Sequence, residues 1–283
     1  MSETMDYSYL EELAKKWDFH ELNHIVMTDT MNQCETDENL KSAIKKSNEK
    51  QYIINDWSNF VIKKIPGNTK IIVSKKRTYE SAKKYKWKKI AVLDFANSHS
   101  VWWAPYYAWA QEESMCRCST LFPCLNTEYN RSNYYYKHIE DYNDGILDNY
   151  WNNDIIYIPD VVVFKTDESI PRLLPKDDWY NVDVIVSAAP ELWYYWNNDT
   201  DKYQSIMRER IKCILAVAKK ENIEVLILWA FGCGAFSNPP KTVARLFKEE
   251  LKNYDFEIVE FPVFCREYSP DSNYQIFKDI LMS

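Results

Sequence analysis

The sequence lacks several features that would place it in a specialised class. It has no apolar stretch approaching the roughly 20 residues that span a bilayer, so we expect no membrane partner. Its seven cysteines include no Cys-x-x-Cys pair, and the N-terminus has no basic and apolar leader. The formal net charge of −7 argues against polyanions as partners of the whole surface. We therefore expect a reduced, cytoplasmic (intracellular) protein without metal or cofactor. We do not expect it to bind nucleic acid, in spite of one basic stretch at residues 75–89.

Glycine is unusually scarce, since the 283 residues contain only four. Two of the four flank one cysteine in the segment 231–236, Phe-Gly-Cys-Gly-Ala-Phe. The pair follows the apolar, β-branched run 223–230, which predicts a buried strand, and precedes a helical stretch. A strand that runs through a glycine turn into a helix can bind an anion, since the helix N-terminus has unpaired N–H groups. A tight turn without a ligand is the alternative.

The rest of the chain alternates between strand and helix patterns. Residues 1–57 are polar and helix-patterned, which predicts an N-terminal helical extension, and residues 58–283 predict one α/β domain. Its central sheet is expected to be covered by helices on both faces. Ligands of such sheets bind beyond the carboxyl ends of the strands, here in the loops after residues 95, 187 and 230. The polar region 126–154 is expected to be a long ordered insertion. The predicted strands are 71–73, 90–95, 155–164, 182–187, 223–230 and 257–264; the predicted helices are near 78–86, 108–120, 203–220 and 240–252.

Gln111-Glu112-Glu113 opens a predicted helix, and acidic residues there also complement the helix dipole. In combination with other blocks the motif is more specific. Leu-Asp-Phe-Ala at 93–96, the segment 111–121, Ser-Ala-Ala-Pro at 187–190 and the segment 229–236 follow one another in the order found in a known family. On these blocks the chain resembles the microbial-type poly(ADP-ribose) glycohydrolases, a branch of the macrodomain fold, over roughly residues 60–283.

The resemblance implies a macrodomain-like three-layer α/β/α domain with a mixed sheet, and a ligand of the ADP-ribose type. It assigns Glu113 as the general acid on the ribosyl bond, with Glu112 assisting ligand positioning. Gly232, Cys233 and Gly234 would wrap the diphosphate. Further ligand-binding residues on this reading are Gln111, Asn97, Ala189, Ala235 and Phe236, with Phe236 packing on a ribose or adenine. An ADP-ribosylated protein is a further partner that the resemblance implies.

One loop departs from the family pattern. The family carries Ala-x-x-Asn-Pro-Gly-Gly-Gly after the first of these strands, whereas residues 96–107 of this chain contain no glycine. Three glycines that allow close backbone approach cannot be replaced by Val, Trp and Trp with the same geometry. Trp102 and Trp103 would then cap a base or narrow the pocket; alternatively, the loop aromatics only pack, or they form a patch for a protein partner. His99, the one histidine in this loop, is a candidate substitute acid or base.

Three functions follow from these features. The first is an (ADP-ribosyl) glycohydrolase that uses Glu113, and the second is a degenerate macrodomain that binds or sequesters ADP-ribose without cleaving it. The third is a protein-interaction scaffold whose pocket Trp102 and Trp103 block. His20 and His24 have the spacing of a metal pair but lack a third ligand, so we interpret them as solvated helix residues. Cys233 has no histidine near it in sequence, which argues against a thiol nucleophile.

Overall fold

The computed structural model describes residues 5–57, 67–100, 104–193, 200–265 and 272–283. Within these ranges seven strands form one sheet, in the order β1-β4-β5-β3-β6-β7-β2. Strand β4 pairs antiparallel with β1 and β5, and all other pairs are parallel, so the sheet is mixed. The strands are β1 (Tyr52–Ile54), β2 (Lys70–Ser74), β3 (Ile90–Phe95), β4 (Ile155–Val163), β5 (Tyr180–Ser187), β6 (Val225–Ile227) and β7 (Ile258–Pro262).

Helices cover both faces of this sheet, as the alternating pattern predicts. Strand β3 lies in its centre and alternates its side chains between two cores: Ala91 and Leu93 belong to one, Ile90 and Val92 to the other. The helices are α1 (Tyr7–Lys15), α2 (Phe19–Thr36), α3 (Glu38–Lys50), α4 (Thr78–Ala82), α5 (Ala104–Tyr107), α6 (Gln111–Cys118), α7 (Leu121–Leu125), α8 (Glu128–Asn130), α9 (Tyr136–Asn143), α10 (Asp201–Lys220), α11 (Pro240–Leu251) and α12 (Ser272–Leu281).

The strand predicted over 223–230 is shorter than expected, because β6 ends at Ile227. Trp229 then adopts the left-handed conformation with φ of 55°, which a regular strand cannot contain. The apolar run therefore supplies both a buried strand and the first residues of a loop. This early turn places the ring of Trp229 against Phe95 at the end of β3, with ring centroids 5.2 Å apart.

Three helices occupy most of residues 1–57, in agreement with the pattern of that segment. They are not separate from the sheet, since β1 pairs with β4 and α2 packs against α5 and α6. Asn23 of α2 donates hydrogen bonds through Nδ2 to the carbonyls of Tyr107 and Ala108, at 3.1 and 3.2 Å. The domain boundary after residue 57 stays a prediction. The insertion 126–154 contains α8, a π-helical turn at Arg131–Tyr135 and α9.

A search of the described residues for a helix with the length and apolarity needed to cross a membrane found none.

Candidate active site

An open cleft of about 980 Å³ lies beyond the carboxyl ends of β3 and β6. This is the edge at which the sequence predicts a ligand, because parallel strands present their carboxyl ends and following loops on one side. The lining comes from segments 17–19, 77–78, 95–99, 109–115, 229–236, 263–265 and 273–274, together with Asp167, Ser169, Glu191 and Trp193. Residues that are distant in sequence therefore meet at one surface.

Gln111 fixes the start of α6 to the end of β3. Its Oε1 accepts a hydrogen bond from the Phe95 N–H at 2.9 Å, and its Nε2 donates to the Leu93 carbonyl at 2.7 Å. These two bonds satisfy backbone groups of the central strand and hold the first turn of the helix in the cleft. The predicted ligand role of Gln111 stays a prediction; in this structure its amide positions the two glutamates that follow.

Glu112 is buried and connects α6 to the loop after β3. Its Oε2 accepts a hydrogen bond from the N–H of Asn97 at 3.1 Å, and Asn97 Oδ1 accepts one from the N–H of His99 at 2.9 Å. Burial raises the pKa of Glu112 well above its usual range, and the neighbouring Asp94 and Glu113 carboxylates raise it further. The bond from Asn97 acts in the opposite direction. Asn97 and His99 thereby take up defined positions in the lining of the cleft.

Glu113 lines the cleft, and its Oε2 is buried and has no hydrogen-bond partner among the described residues. Burial raises the pKa of its carboxyl. Arg117, one turn further along α6, acts against this shift. The Arg117 guanidinium is itself turned to backbone, since Nη1 donates to the carbonyls of Pro105 and Ala108 at 2.7 and 2.9 Å. Glu113 is therefore arranged to hold a proton in a site that a ligand can reach.

Asp94, a residue of the Leu-Asp-Phe-Ala block at 93–96, completes a cluster of three acids. It is fully buried in β3, and neither of its carboxyl oxygens has a hydrogen-bond partner among the described residues. Burial raises its pKa well above the usual range, and the charge of Glu113 raises it further. The sequence carries a signal for this residue, because an acid in the apolar run 90–95 has no ordinary structural reason.

The glycine pair in the loop after β6 predicts a turn that requires glycine. The structure shows this requirement at only one of the two glycine positions. Gly232 has a φ of 71°, and a Cβ placed there would lie 2.6 Å from the Cβ of Ala189. Glycine is therefore required at 232 for both conformation and space. Gly234 differs, because no atom lies within 4 Å of the place that its Cβ would take. This open space faces the cleft, and a side chain there would occupy it.

Two predicted binding residues lie behind this loop rather than in the lining of the cleft. Ala189 is buried beneath Gly232, and the Cys233 thiol lies near the carbonyl of Phe231 at 3.5 Å. Burial raises the pKa of Cys233, which agrees with the expectation that its thiol is not a nucleophile. Ala235 and Phe236 do line the cleft, and Phe236 lies beside Trp193, with ring centroids 6.1 Å apart. The binding roles predicted for these four residues stay predictions.

Asn238 holds the loop in place, a role that the sequence pattern alone does not reveal. Its buried Nδ2 donates to the carbonyls of Pro190 and Gly232 at 2.8 and 3.0 Å and lies 3.3 Å from that of Phe236. One amide thus connects the loop after β5 to both ends of the glycine turn. The only signal was an asparagine directly before Pro239-Pro240, a context typical of turns.

Trp102 and Trp103 lie outside the described residues. His99 lines the cleft beside Trp151, with ring centroids 5.3 Å apart. His20 and His24 lie on α2 and both stack on Tyr107, with ring centroids 4.2 and 5.7 Å away. His20 is exposed, in agreement with its interpretation as a solvated helix residue, whereas His24 is half-buried. The aromatic α5 lies against that face of α2, which the sequence of α2 alone does not reveal. Across the residues that the structure describes, no group of three or more His, Cys, Asp or Glu side chains is arranged to hold a metal ion.

Comparisons with known proteins agree with this architecture. The family described as Microbial-type PARG, catalytic domain, where PARG abbreviates poly(ADP-ribose) glycohydrolase, matches residues 21–166, slightly more than half of the chain. The match therefore begins at residue 21, whereas we expected the similarity to begin near residue 60. The segment carries few distinctive residues, but α2 packs against α5 and α6 beside the cleft. A search of curated protein sequences found no match.

Solved structures show the same fold. The poly(ADP-ribose) glycohydrolase of Thermomonospora curvata, bound to the inhibitor ADP-HPD, is 23% identical, with a TM-score of 0.77 over 91% of this chain and 98% of that one. The enzyme of Deinococcus radiodurans in complex with ADP-ribose is 24% identical, with a TM-score of 0.73 over 84% of this chain and 96% of that one. The predicted macrodomain-like α/β/α fold with a mixed sheet is thus confirmed.

Proposed function

Because this chain belongs to the microbial-type poly(ADP-ribose) glycohydrolase family, we propose that it binds ADP-ribosyl groups and hydrolyses the O-glycosidic ribosyl bond, with Glu113 as the general acid. The observation that carries the proposal is the cluster of Asp94, Glu112 and Glu113. All three carboxyls have raised pKa values at the ligand-accessible edge of the sheet. The inhibitor and ADP-ribose complexes of the bacterial relatives support the choice of ligand.

In the proposed reaction the proton of Glu113 passes to the oxygen that leaves the ribose as the C1–O bond breaks. The ribose carries the resulting positive charge as an oxocarbenium-like species until a water oxygen bonds to C1. That water gives its proton to the Glu113 carboxylate, which restores the acid. Burial of Glu113 itself favours the protonated form of its carboxyl before the reaction, because burial makes the charged form costly.

The remaining predicted residues receive binding roles in this proposal. The diphosphate lies across Gly232 to Ala235, where the open space at Gly234 allows a ligand to approach the backbone. Glu112, held by the Asn97 N–H, positions the ribose hydroxyls next to Glu113. Phe236 packs on the adenosine part of the ligand. The loop after β3, which contains no glycine, contributes through Asn97 and His99, which line the cleft from the other side.

The Glu113→Gln variant tests the proposal, because glutamine keeps the shape of the side chain but cannot supply the proton. We expect release of ADP-ribose to fall at least about 100-fold, while ADP-ribose affinity in calorimetry stays within about threefold. Glu140→Gln, the same change at an exposed position of α9, is the matched control. Full activity of Glu113→Gln would contradict the assignment of the acid.

The two alternative functions give different results with the unmodified protein. Binding of ADP-ribose without any turnover would identify a degenerate macrodomain. Absence of both heat and a thermal shift with ADP-ribose would remove the ADP-ribose-binding module and favour the interaction scaffold.

A further inference from the structure

A buried histidine of the insertion 126–154 contacts the loop after β3. His138 lies in α9 and is 1% exposed. Its Nδ1 lies 2.9 Å from the carbonyl oxygen and 3.2 Å from the hydroxyl oxygen of Ser98, and its Nε2 lies 3.1 Å from Oδ2 of Asp154. Asp154 directly precedes β4. One side chain therefore connects the loop after β3 to the start of another strand of the sheet.

Ser98 offers a partner to both protonation states of the His138 Nδ1. The carbonyl oxygen of Ser98 only accepts, so it pairs with Nδ1 when that nitrogen carries a proton. The hydroxyl can donate, so it pairs with Nδ1 when that nitrogen carries none. The contact between His138 and the loop is thus available to either form of the imidazole.

Ser98, His138 and Asp154 have the order of hydroxyl, imidazole and carboxylate that nucleophilic triads use. The position of Ser98 is incompatible with that role, because Ser98 is 1% exposed and does not line the cleft. A substrate in the cleft does not reach its hydroxyl. The three groups therefore act on the loop rather than on a ligand.

Ser98 lies between two residues that line the cleft, Asn97 and His99. The carbonyl of Ser98 and the N–H of His99 belong to one peptide plane, so a bond that holds the carbonyl also orients this N–H. The His99 N–H donates to the side chain of Asn97 at 2.9 Å, and the Asn97 N–H donates to Glu112 at 3.1 Å. A continuous series of contacts thus leads from His138 to Glu112.

A second residue of the insertion supports the same side of the cleft. Trp151 packs on His99, with ring centroids 5.3 Å apart, and its Nε1 donates to Oε1 of Glu191 at 3.2 Å. Both partners line the cleft, whereas Trp151 does not. Trp151 has a φ of 56°, which is a strained conformation for a bulky side chain. Such strain persists where the surroundings fix a residue, and here they fix it against two residues of the cleft.

We propose that His138, held by Asp154, is a positioning residue for the reaction: it fixes the loop after β3 so that the Asn97 N–H keeps Glu112 in place next to Glu113. The inference rests on the proposed function, in which Glu112 positions the ribose hydroxyls. His138 does not touch the ligand, since it is buried and lies outside the lining of the cleft. Misplacement by about 1 Å can cost roughly 100-fold in rate, so loss of the contact with Ser98 lowers turnover more than binding.

Three substitutions of His138 in the full chain separate its contact with Ser98 from its contact with Asp154. His138→Phe keeps a ring and removes both contacts. His138→Asn places an amide near the position of Nδ1, which faces Ser98, whereas His138→Gln places one near the position of Nε2, which faces Asp154. We expect kcat for release of ADP-ribose from poly(ADP-ribose) to fall about 10-fold in His138→Phe and His138→Gln, with KM within about threefold. His138→Asn should retain kcat within about threefold of wild type.

Calorimetric titration with ADP-ribose separates a loss of positioning from a loss of folded protein. The number of binding sites per chain counts the molecules that bind ligand, so kcat is expressed per binding site. His20→Phe is the matched control, because it makes the same change at an exposed histidine that does not line the cleft. We expect its kcat per site to stay within about twofold of wild type.

Each other outcome overturns the positioning role. An unchanged kcat per site in His138→Phe would show that the loop keeps its place without His138. A raised KM with unchanged kcat would show that His138 shapes ligand binding instead. Equal losses in His138→Asn and His138→Gln would show that the contact with Ser98 is not the one that matters, and this comparison decides if His138→Phe does not fold. If wild type releases no ADP-ribose, the proposed function fails first and the positioning role falls with it.

Discussion

Two sites in the same sheet bury carboxyl groups, and their surroundings are opposite. Glu260 in β7 is fully buried and accepts hydrogen bonds from Ser74 at 2.6 Å, Ser81 at 2.9 Å, Lys84 at 2.9 Å and Tyr85 at 2.7 Å. Asp94 in β3 is equally buried, yet no described residue donates to either of its oxygens. The chain therefore satisfies one buried acid completely and leaves the other without partners.

The two environments shift the pKa values of the acids in opposite directions. Burial by itself raises the pKa of Glu260, but the bonds from Ser74, Lys84 and Tyr85 outweigh burial and lower it. At Asp94, burial and the charge of Glu113 act together and raise the pKa. An ionised acid with full hydrogen bonding contributes to the fold, whereas a cluster kept neutral by burial is a source of protons beside a ligand. On the proposed function, the difference separates Glu260, which stabilises the fold, from the acids assigned to the reaction.

The Glu260→Gln variant is expected to have the largest effect and gives the strongest test of this comparison. The amide removes the charge that Lys84 pairs with and turns a donor toward groups that already donate. We expect a loss of about 3 kcal/mol in the free energy of unfolding, measured by urea denaturation. ADP-ribose affinity should not change, because Glu260 does not line the cleft. Glu113→Gln should show the reverse: no loss of stability and a loss of activity. Equal stability of the two variants would contradict the distinction.

The dependence of stability on pH should also differ between the two sites. Asp94 has a raised pKa in the folded protein, so the folded state holds a proton that the unfolded state releases above about pH 4. Stability from Asp94 is therefore complete at low pH and falls as pH rises toward the folded pKa, by about 1.4 kcal/mol per pH unit. Glu260, with a lowered pKa, adds stability above its usual value of 4.5 that is lost as pH falls.

Asp94→Asn measures this effect directly. The variant should lack the fall in stability with rising pH that Asp94 contributes, so the difference in unfolding free energy between wild type and variant changes as pH rises above about 4. The measurement is urea denaturation at several pH values, and Asp144→Asn, an exposed change in the loop after α9, is the control. A difference that does not vary with pH would show that Asp94 is ionised in the folded protein.

The same comparison shows which features of the two acid sites could be predicted from the sequence and which could not. Strand β3 and the glutamates that open α6 were predictable, because apolar runs and acidic first turns leave local signals. The absence of hydrogen-bond donors to Asp94 among the described residues was not, since it depends on how α6 docks through Gln111 onto β3. Glu260 also looks like any charged residue in an alternating strand. Its four donors come from β2, α4 and the turn after α4, more than 170 positions away in the chain.

For the glycine loop, too, only some features could be predicted from the sequence. The requirement for glycine at 232 could be inferred from its scarcity, and its positive φ agrees with that inference. The contact with Ala189 and the bonds from Asn238 could not, because they join the loops after β5 and β6. The contact between Phe19 and Trp109 in the lining of the cleft was missed for a comparable reason, because the two residues are far apart in sequence and meet only where α2 packs against α6.

The smallest expected effect comes from removing one hydroxyl at each site. Tyr85 donates to Oε2 of Glu260 at 2.7 Å, whereas the buried hydroxyl of Tyr135, in the core that contains the α6 side of the cleft, has no partner among the described residues. Tyr85→Phe should lower the free energy of unfolding by about 1.5 kcal/mol, because a bond to a charged acceptor is lost. Tyr135→Phe should leave stability unchanged or raise it, since it removes a buried polar group that is already unsatisfied. Equal losses in urea denaturation would mean that the region around the three acids is as fully hydrogen-bonded as Glu260, and the contrast between a structural and a catalytic acid site would no longer hold.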